Sequence, residues 1–166
     1  MVTVQHAVTR VGVVLVTVGC LAGCAGGNVD ARPSQGPEAA AHEVTSLVDR
    51  ASDALGGAWT VVSGPRLGPC SGEVGEGVAY TYVKRRDDRG DTEADLRTLE
   101  RLWSDAGLET SRFTWADGAM RGLEGDGAMA SAISFRSSDL GGGDTLRGTS
   151  RCAAGDYVEM RERGEE

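Results

Sequence analysis

The chain has few of the cations that nucleic-acid-binding proteins concentrate. Of its 166 residues only 17 are lysine or arginine, and lysine occurs once, at Lys84. The 25 acidic residues give a net charge of −8. A phosphate backbone needs clustered cations, and the one cluster, residues 84–86, is followed at once by Asp87 and Asp88. We therefore expect no nucleic acid as a partner, and anionic lipid surfaces repel such a body.

Catalytic groups are also scarce. The sequence contains no G-x-S-x-G elbow and no Walker loop, because Gly141–Gly143 lacks the following lysine and helix. Two acids in Leu123–Gly127 fall far short of a calcium loop, so a solvated turn is predicted there. Beyond residue 23 the one histidine is His42, predicted to face solvent on a helix, with a pH sensor as the alternative. We expect no cofactor and no metal.

Aromatic residues make up 5% of the chain, three Trp, three Tyr and two Phe. With so few, most are expected in the core. The alternative is a ligand groove lined by five of them: Trp59, Tyr80, Tyr82, Trp103 and Trp115.

A long apolar run is absent as well. Met1–Arg10 carries one cationic side chain, Val11–Val18 is apolar, and small residues follow. This is the order of a secretory signal, predicted here over residues 1–23. A membrane span would need about 20 apolar residues, and the run is too short for one.

The signal ends in Leu21, Ala22, Gly23 and Cys24, which resembles the lipobox of bacterial lipoproteins. The resemblance implies recognition of Leu21, Ala22 and Gly23 by a signal peptidase that cuts before Cys24. It also implies a thioether link from the Cys24 thiol to diacylglycerol, and two acyl chains make a stable anchor. The lipid bilayer is then a partner, and the location is the extracytoplasmic face of the cell membrane. Cys20 follows residues that match the lipobox less well, and we predict that it is removed with the signal peptide.

Two cysteines remain, Cys70 and Cys152, 82 positions apart. In an exported, oxidising compartment an even pair indicates a disulfide. Closing a loop of this size restricts the unfolded chain and contributes roughly 4 to 5 kcal/mol in the loop-entropy model. A catalytic thiol or a metal site is the alternative, but it lacks partner ligands.

The remaining chain is predicted to contain a flexible tether over residues 24–37 and one globular domain over residues 38–163. Apolar residues at helical spacing predict a helix ending at Leu55 and a second over Thr92–Gly107, capped by Asp91 or Thr92. Alternation predicts strands, the one over residues 108–115 having Ser111, Phe113 and Trp115 on one side, and Gly64–Cys70 and Ser71–Glu76 are predicted as loop and turn. The predicted strands cover residues 59–63, 77–84, 108–115, 120–122, 128–136, 145–152 and 156–161, the last two forming a final strand or hairpin.

This order predicts an α+β fold, an antiparallel sheet of about five strands with two helices packed on one face in a two-layer sandwich. Each helix has an apolar stripe to dock on the sheet. The stripes are Val44, Leu47, Val48, Ala51 and Leu55 in the first helix, and Leu96, Leu99, Leu102, Trp103 and Ala106 in the second.

The element order, with Cys70 in a G-P-C-S stretch, a Tyr-rich strand, a Trp-bearing helix and a late Cys152, also resembles the small actinobacterial lipoproteins of the LppA type. The resemblance spans most of residues 24–160 and implies no particular activity. We expect a non-enzymatic binding or accessory module for an envelope protein or a cell-wall component. The alternative is a small envelope hydrolase or ligand carrier with a groove between helices and sheet, its acids drawn from Glu73, Glu76, Asp117 and Glu124.

Overall fold

A computed structural model describes residues 36–72 and 75–165 of the chain. The predicted signal, the lipobox with Cys24 and nearly all of the predicted tether lie outside the described residues. Within them, no helix is long and apolar enough to cross a membrane. The elements in chain order are α1 Pro37–Leu55, β1 Trp59–Gly72, β2 Gly75–Arg86, α2 Thr92–Asp105, β3 Leu108–Trp115, β4 Met120–Gly127, β5 Ala132–Ser138, β6 Asp144–Thr149 and α3 Tyr157–Glu162.

The strands form one antiparallel sheet in the order β1-β2-β6-β5-β4-β3. The α+β class and the antiparallel sheet are therefore as predicted. The numbers differ slightly, because the described residues contain six strands and three helices rather than about five and two.

Helices α1 and α2 cover one face of this sheet. Leu47 of α1 and Leu99 and Trp103 of α2 are fully buried in one cluster with Phe135 and Leu146 of the sheet. Both predicted apolar stripes thus face the core. Asp91 caps α2, since its Oδ1 accepts hydrogen bonds from the backbone N–H groups of residues 93 and 94.

The predicted loop over residues 64–70 is wrong, because β1 runs from Trp59 to Gly72 and pairs with β2 along its length. Pro65 and Pro69 cannot donate a ladder hydrogen bond, which is tolerated because β1 is an edge strand. Two register shifts, between residues 61 and 66, accommodate the irregular part of the strand.

The predicted turn at residues 123–127 is also wrong, since β4 continues to Gly127 and pairs with β3 to its end. Gly125 and Gly127 instead allow neighbouring residues to pack closely against β4. A Cβ on Gly127 would lie 2.9 Å from Leu108 Cδ2. Strand β5 consequently begins at Ala132 rather than at residue 128.

Residues 156–161, predicted as strand, belong to α3. Asp156 caps this helix, its Oδ1 accepting from the N–H of Glu159. Met160 of this helix is buried in a second cluster, together with Ala40 of α1 and Val78 of β2. A helical turn places that one side chain inward while its charged neighbours stay in solvent.

Candidate functional site

The second face of the sheet is not covered by either long helix. Along β5, Ile133 and Phe135 are buried against the helices, whereas Ala132 and Arg136, on either side of this pair in sequence, are exposed. Strand register extends this alternation across the sheet and defines the uncovered face. Its central positions are Ser63 and Arg66 of β1, Thr81, Val83 and Arg85 of β2, Thr145, Arg147 and Thr149 of β6, Ala132, Ser134 and Arg136 of β5, Gly122, Glu124 and Asp126 of β4, and Ser111, Phe113 and Trp115 of β3.

Three arginines of the uncovered face surround one threonine. Arg85 of β2 and Arg136 of β5 lie opposite Thr145 of β6, one on each side. Arg147 is two residues further along β6 and therefore diagonal to both, within reach for long side chains. We call Arg85, Arg136 and Arg147 the arginine cluster. Arg66 of β1, opposite Thr81, extends the positive charge toward the sheet edge.

These arginines are weakly neutralised. Arg85 lies 2.7 Å from Asp87 and Arg136 lies 3.5 Å from Glu124, and all four side chains are half exposed or more. Exposed pairs of this kind contribute little and exchange readily. Arg66 and Arg147 form no ion pair with any residue in 36–72 or 75–165.

Acids are missing from most of this surface. Among the described residues, the outward positions of β1, β2, β5 and β6 carry no aspartate or glutamate. In a chain of net charge −8, that leaves a cationic strip four strands wide. Hydroxyl groups of serine and threonine fill many of the positions between the arginines.

A shallow open groove of about 420 Å³ crosses the uncovered face from β3 to β6. Ser111 and Glu124 line it at one end, Arg147 and Thr149 at the other, and Ser134 between them. The groove thus offers hydroxyl and guanidinium donors in its centre and carboxylates toward β3. Its walls are polar, which suits a hydrated, hydrogen-bonding ligand.

An aromatic pair adjoins the groove on β3. The Phe113 ring lies over Gly122 of β4, where an added Cβ would be only 2.3 Å from Phe113 Cζ. The Arg136 guanidinium sits 5.8 Å from the centre of the same ring. Trp115, two residues along the strand, is 66% exposed. We call Phe113 and Trp115 the aromatic edge.

The buried guanidinium of Arg86 is structural rather than accessible. The Arg86 side chain is 4% exposed and donates from Nη2 to Asp95, 2.6 Å away, and to Asp144, which is fully buried. Burial lowers the pKa of this guanidinium, but the hydrogen bonds to Asp144 and Asp95 outweigh it and raise the pKa above its ordinary value. Nη1 bonds the Gly56 carbonyl, and the ring of Trp59 lies 4.9 Å from the guanidinium. This cluster joins β2, β6, α2 and the end of α1.

The structure contains the Cys70–Cys152 disulfide, with Cα atoms 5.8 Å apart. Cys70 lies in β1 rather than in a loop, and Cys152 follows β6 rather than lying within the last strand. Gly77 of β2 leaves room for the bridge, since an added Cβ there would be 3.1 Å from Cys152 Sγ. The cross-link ties the first strand to the segment after the last one.

The other predicted candidates are dispersed. Tyr80, Tyr82 and Trp103 are core residues, as expected of most aromatics, and His42 faces solvent. Trp115 is the exception, because it stands on the uncovered face.

The acids that a hydrolase would need are not gathered. Glu76 lies near the β1–β2 turn, Asp117 in the β3–β4 turn and Glu124 in mid-β4, while Glu73 is outside the described residues. No group of three or more His, Cys, Asp or Glu side chains in the described residues is arranged to hold a metal ion.

The space between the helices and the sheet is filled by the core. A second open cleft, of about 820 Å³, lies between the β1–β2 hairpin and α3, lined by Pro69, Cys70, Glu76, Tyr157 and Val158. Sequence reasoning identified the side of β3 that carries the aromatic edge but missed the arginine cluster.

The fold and its uncovered face define an α+β protein with a single-sided antiparallel sheet. No protein-family model and no curated protein matches the chain. The chain is similar to a DUF4853 family protein from Actinomyces odontolyticus, known from a crystal structure, at 19% identity and a TM-score of 0.48. The aligned part covers 72% of this chain and 66%, just under two thirds, of the other.

Proposed function

We propose that the protein is a lipoprotein anchored to the extracytoplasmic face of the cell membrane through acylated Cys24. Its folded body is a non-enzymatic module that binds another envelope component. The uncovered sheet face is the binding surface.

The observation that carries the binding role is the cationic strip. On the helix-covered side, an arginine such as Arg112 is held by two acids, Glu93 at 2.9 Å and Glu100 at 2.6 Å. Within the part of the chain that the structure describes, Arg66 and Arg147 on the uncovered face have no such pairing. An acidic protein that leaves cations unpaired on one face is complementary to an anionic partner.

The anchored location is supported by two independent features. The residues before Cys24 resemble a lipobox, and the Cys70–Cys152 disulfide is typical of an oxidising compartment. The proposal includes the tether expected from the sequence between Cys24 and α1, and a flexible chain of that length would have an end-to-end distance of about 20 Å.

Membrane fractionation of cells expressing the full chain tests the anchor. Cys24→Ala is expected to release the protein from membranes or leave it with an uncleaved signal, because the acylated thiol is lost. Cys20→Ala is the matched control and is expected to fractionate as the unaltered protein does. Release by the Cys20 change and not by the Cys24 change would contradict the assignment.

Chemical crosslinking in the native envelope, followed by capture of the full chain, tests the binding face. The double change Arg136→Glu and Arg147→Glu is expected to abolish the crosslinked adduct by reversing charge on the uncovered face. Arg97→Glu with Arg101→Glu, an equal reversal on the exposed side of α2, is the control and is expected to leave it. An adduct lost only in the α2 variant would place the binding surface on the helices.

A further inference from the structure

We infer that the ligand of the uncovered face is an acidic polysaccharide, a chain of sugar rings that carry carboxylate groups. The inference rests on the proposed function and specifies the partner of the same surface. It follows from one row of side chains that joins the aromatic edge to the arginine cluster.

That row crosses five strands. Phe113 is opposite Gly122, Gly122 opposite Arg136, Arg136 opposite Thr145, and Thr145 opposite Arg85. With neighbouring strands about 4.8 Å apart, the row is about 19 Å long. A ligand lying along it is therefore an extended chain with several units, rather than a single small molecule.

The arginine cluster recognises the charged groups of that chain. A guanidinium presents donors in a planar fork that matches a carboxylate. Arg85 and Arg136 stand on either side of β6, and Arg147 is offset from both along the strand. The three positions can hold carboxylates on successive units, with the Thr145 hydroxyl between them as a further donor or acceptor.

The aromatic edge recognises the sugar rings. A sugar ring has an apolar face of C–H groups and a polar rim, so it packs on a flat aromatic ring while its hydroxyls stay hydrated. The Phe113 ring lies against Gly122, with the Arg136 guanidinium 5.8 Å from its centre, and Trp115 offers a ring 66% exposed on the same side of β3. Trp115 lies about 7 Å from Phe113 along the strand, so it flanks the row and broadens its aromatic end.

An acidic peptide fits the surface less well. Peptides that bind to sheets pair their backbone with a free strand edge, but the backbone groups of β4, β5, β6 and β2 are committed to neighbouring strands. The groove beside the row is lined by hydroxyls such as those of Ser111, Ser134 and Thr149, with the carboxylates of Glu124 and Asp126 toward β3, and it has no apolar pocket for a peptide side chain. Hydroxyl-rich sugars match that lining.

Titration calorimetry on the full chain, purified from membranes in a neutral detergent, tests the inference. The probes are polygalacturonate oligomers, poly-L-glutamate of similar charge, and neutral dextran oligomers. We expect polygalacturonate to bind most tightly, more weakly as salt is raised, and dextran not to bind measurably.

Single substitutions test the arginine cluster and the aromatic edge separately. Arg147→Gln is expected to weaken polygalacturonate binding about tenfold, the loss typical of one charge-assisted contact. Trp115→Ala is expected to weaken it about fivefold through lost ring contact and to leave poly-L-glutamate binding unchanged. Arg101→Gln, on the exposed side of α2, is the matched control and is expected to change nothing.

Equal binding of poly-L-glutamate and polygalacturonate, insensitive to Trp115→Ala, would overturn the inference in favour of an acidic peptide. Equal binding of dextran would show that the arginines take no part, and no binding of polygalacturonate would also overturn it. If polygalacturonate fails while Arg136→Glu with Arg147→Glu still abolishes the envelope adduct, the proposed function stands and the polysaccharide does not.

Discussion

Removing Arg86 is expected to be among the most damaging single changes in the described residues. Its guanidinium sits between the carboxylates of Asp95 and Asp144, whose side chains are 12% and 0% exposed. Arg86→Met keeps the length of the side chain and removes the charge. Two buried carboxylates then lose their shared counter-ion, and the Gly56 carbonyl loses a hydrogen bond.

The loss in free energy of unfolding is set by the burial of these charges rather than by the number of contacts. Breaking a buried ion pair by removing one partner costs about 3–5 kcal/mol, because the remaining charge stays desolvated. One oxygen of Asp144, Oδ1, already has no hydrogen-bond partner, so the carboxylate has no alternative donor at hand. We therefore expect about 4 kcal/mol, a large part of the typical 5–15 kcal/mol of a folded domain.

Urea unfolding followed by far-UV circular dichroism measures this loss. With a typical m-value near 1.5 kcal/mol/M, the midpoint is expected to fall by about 2–3 M at unchanged m. Arg85→Met, the exposed neighbour, is the control and is expected to shift stability by no more than about 0.5 kcal/mol. Adding Asp144→Leu to Arg86→Met should recover much of the loss. A cost of Arg86→Met below about 1 kcal/mol would refute this reasoning.

Three other changes have expected outcomes. Replacing both Cys70 and Cys152 by Ala should lower the free energy of unfolding by about 4 to 5 kcal/mol. Thiol labelling of the oxidised, unaltered protein should find neither cysteine free, and labelling of both would contradict the disulfide. The hydrogen bond from Arg112 lowers the pKa of Glu100, so this ion pair stabilises the fold above pH 4.5, and its contribution is lost as the pH falls through the lowered pKa. Glu100→Gln should therefore make the urea midpoint depend less on pH in that range. An unchanged pH dependence would argue against the pair. Gly122→Ala places a Cβ 2.3 Å from both Phe113 Cζ and the Phe135 carbonyl oxygen and should destabilise by about 1–3 kcal/mol in the same assay. A neutral effect would show that both neighbours move aside freely.

Much of the helical layer could be predicted because its signals are local. Asp91 caps α2 from the position next to the helix, and the apolar stripe from Leu96 to Ala106 needs only the helical period. Strand β1 could not be predicted over its full length, because Pro65 and Pro69 read locally as loop. Its extent depends on pairing with β2, which is a tertiary interaction. The helix α3 was missed because its one inward residue, Met160, is a weak periodic signal.

The candidate site could be predicted only in part. Alternation along β3 places Phe113 and Trp115 on one side, and that side is the uncovered face. The arginine cluster comes from β2, β5 and β6, and its members become neighbours only because β6 inserts between β2 and β5. No local pattern encodes strand order, so Arg85, Arg136 and Arg147 read in the sequence as separate surface charges.

Site-specific photo-crosslinking tests the central claim most directly. A photo-reactive residue at Ser134, in the middle of the uncovered face between Arg147 and Glu124, is compared with one at Arg101 on α2, each in the membrane-bound full chain. We predict an adduct with an envelope component from position 134 and none from position 101. An adduct from position 101 alone would contradict the claim that the uncovered sheet face is the binding surface.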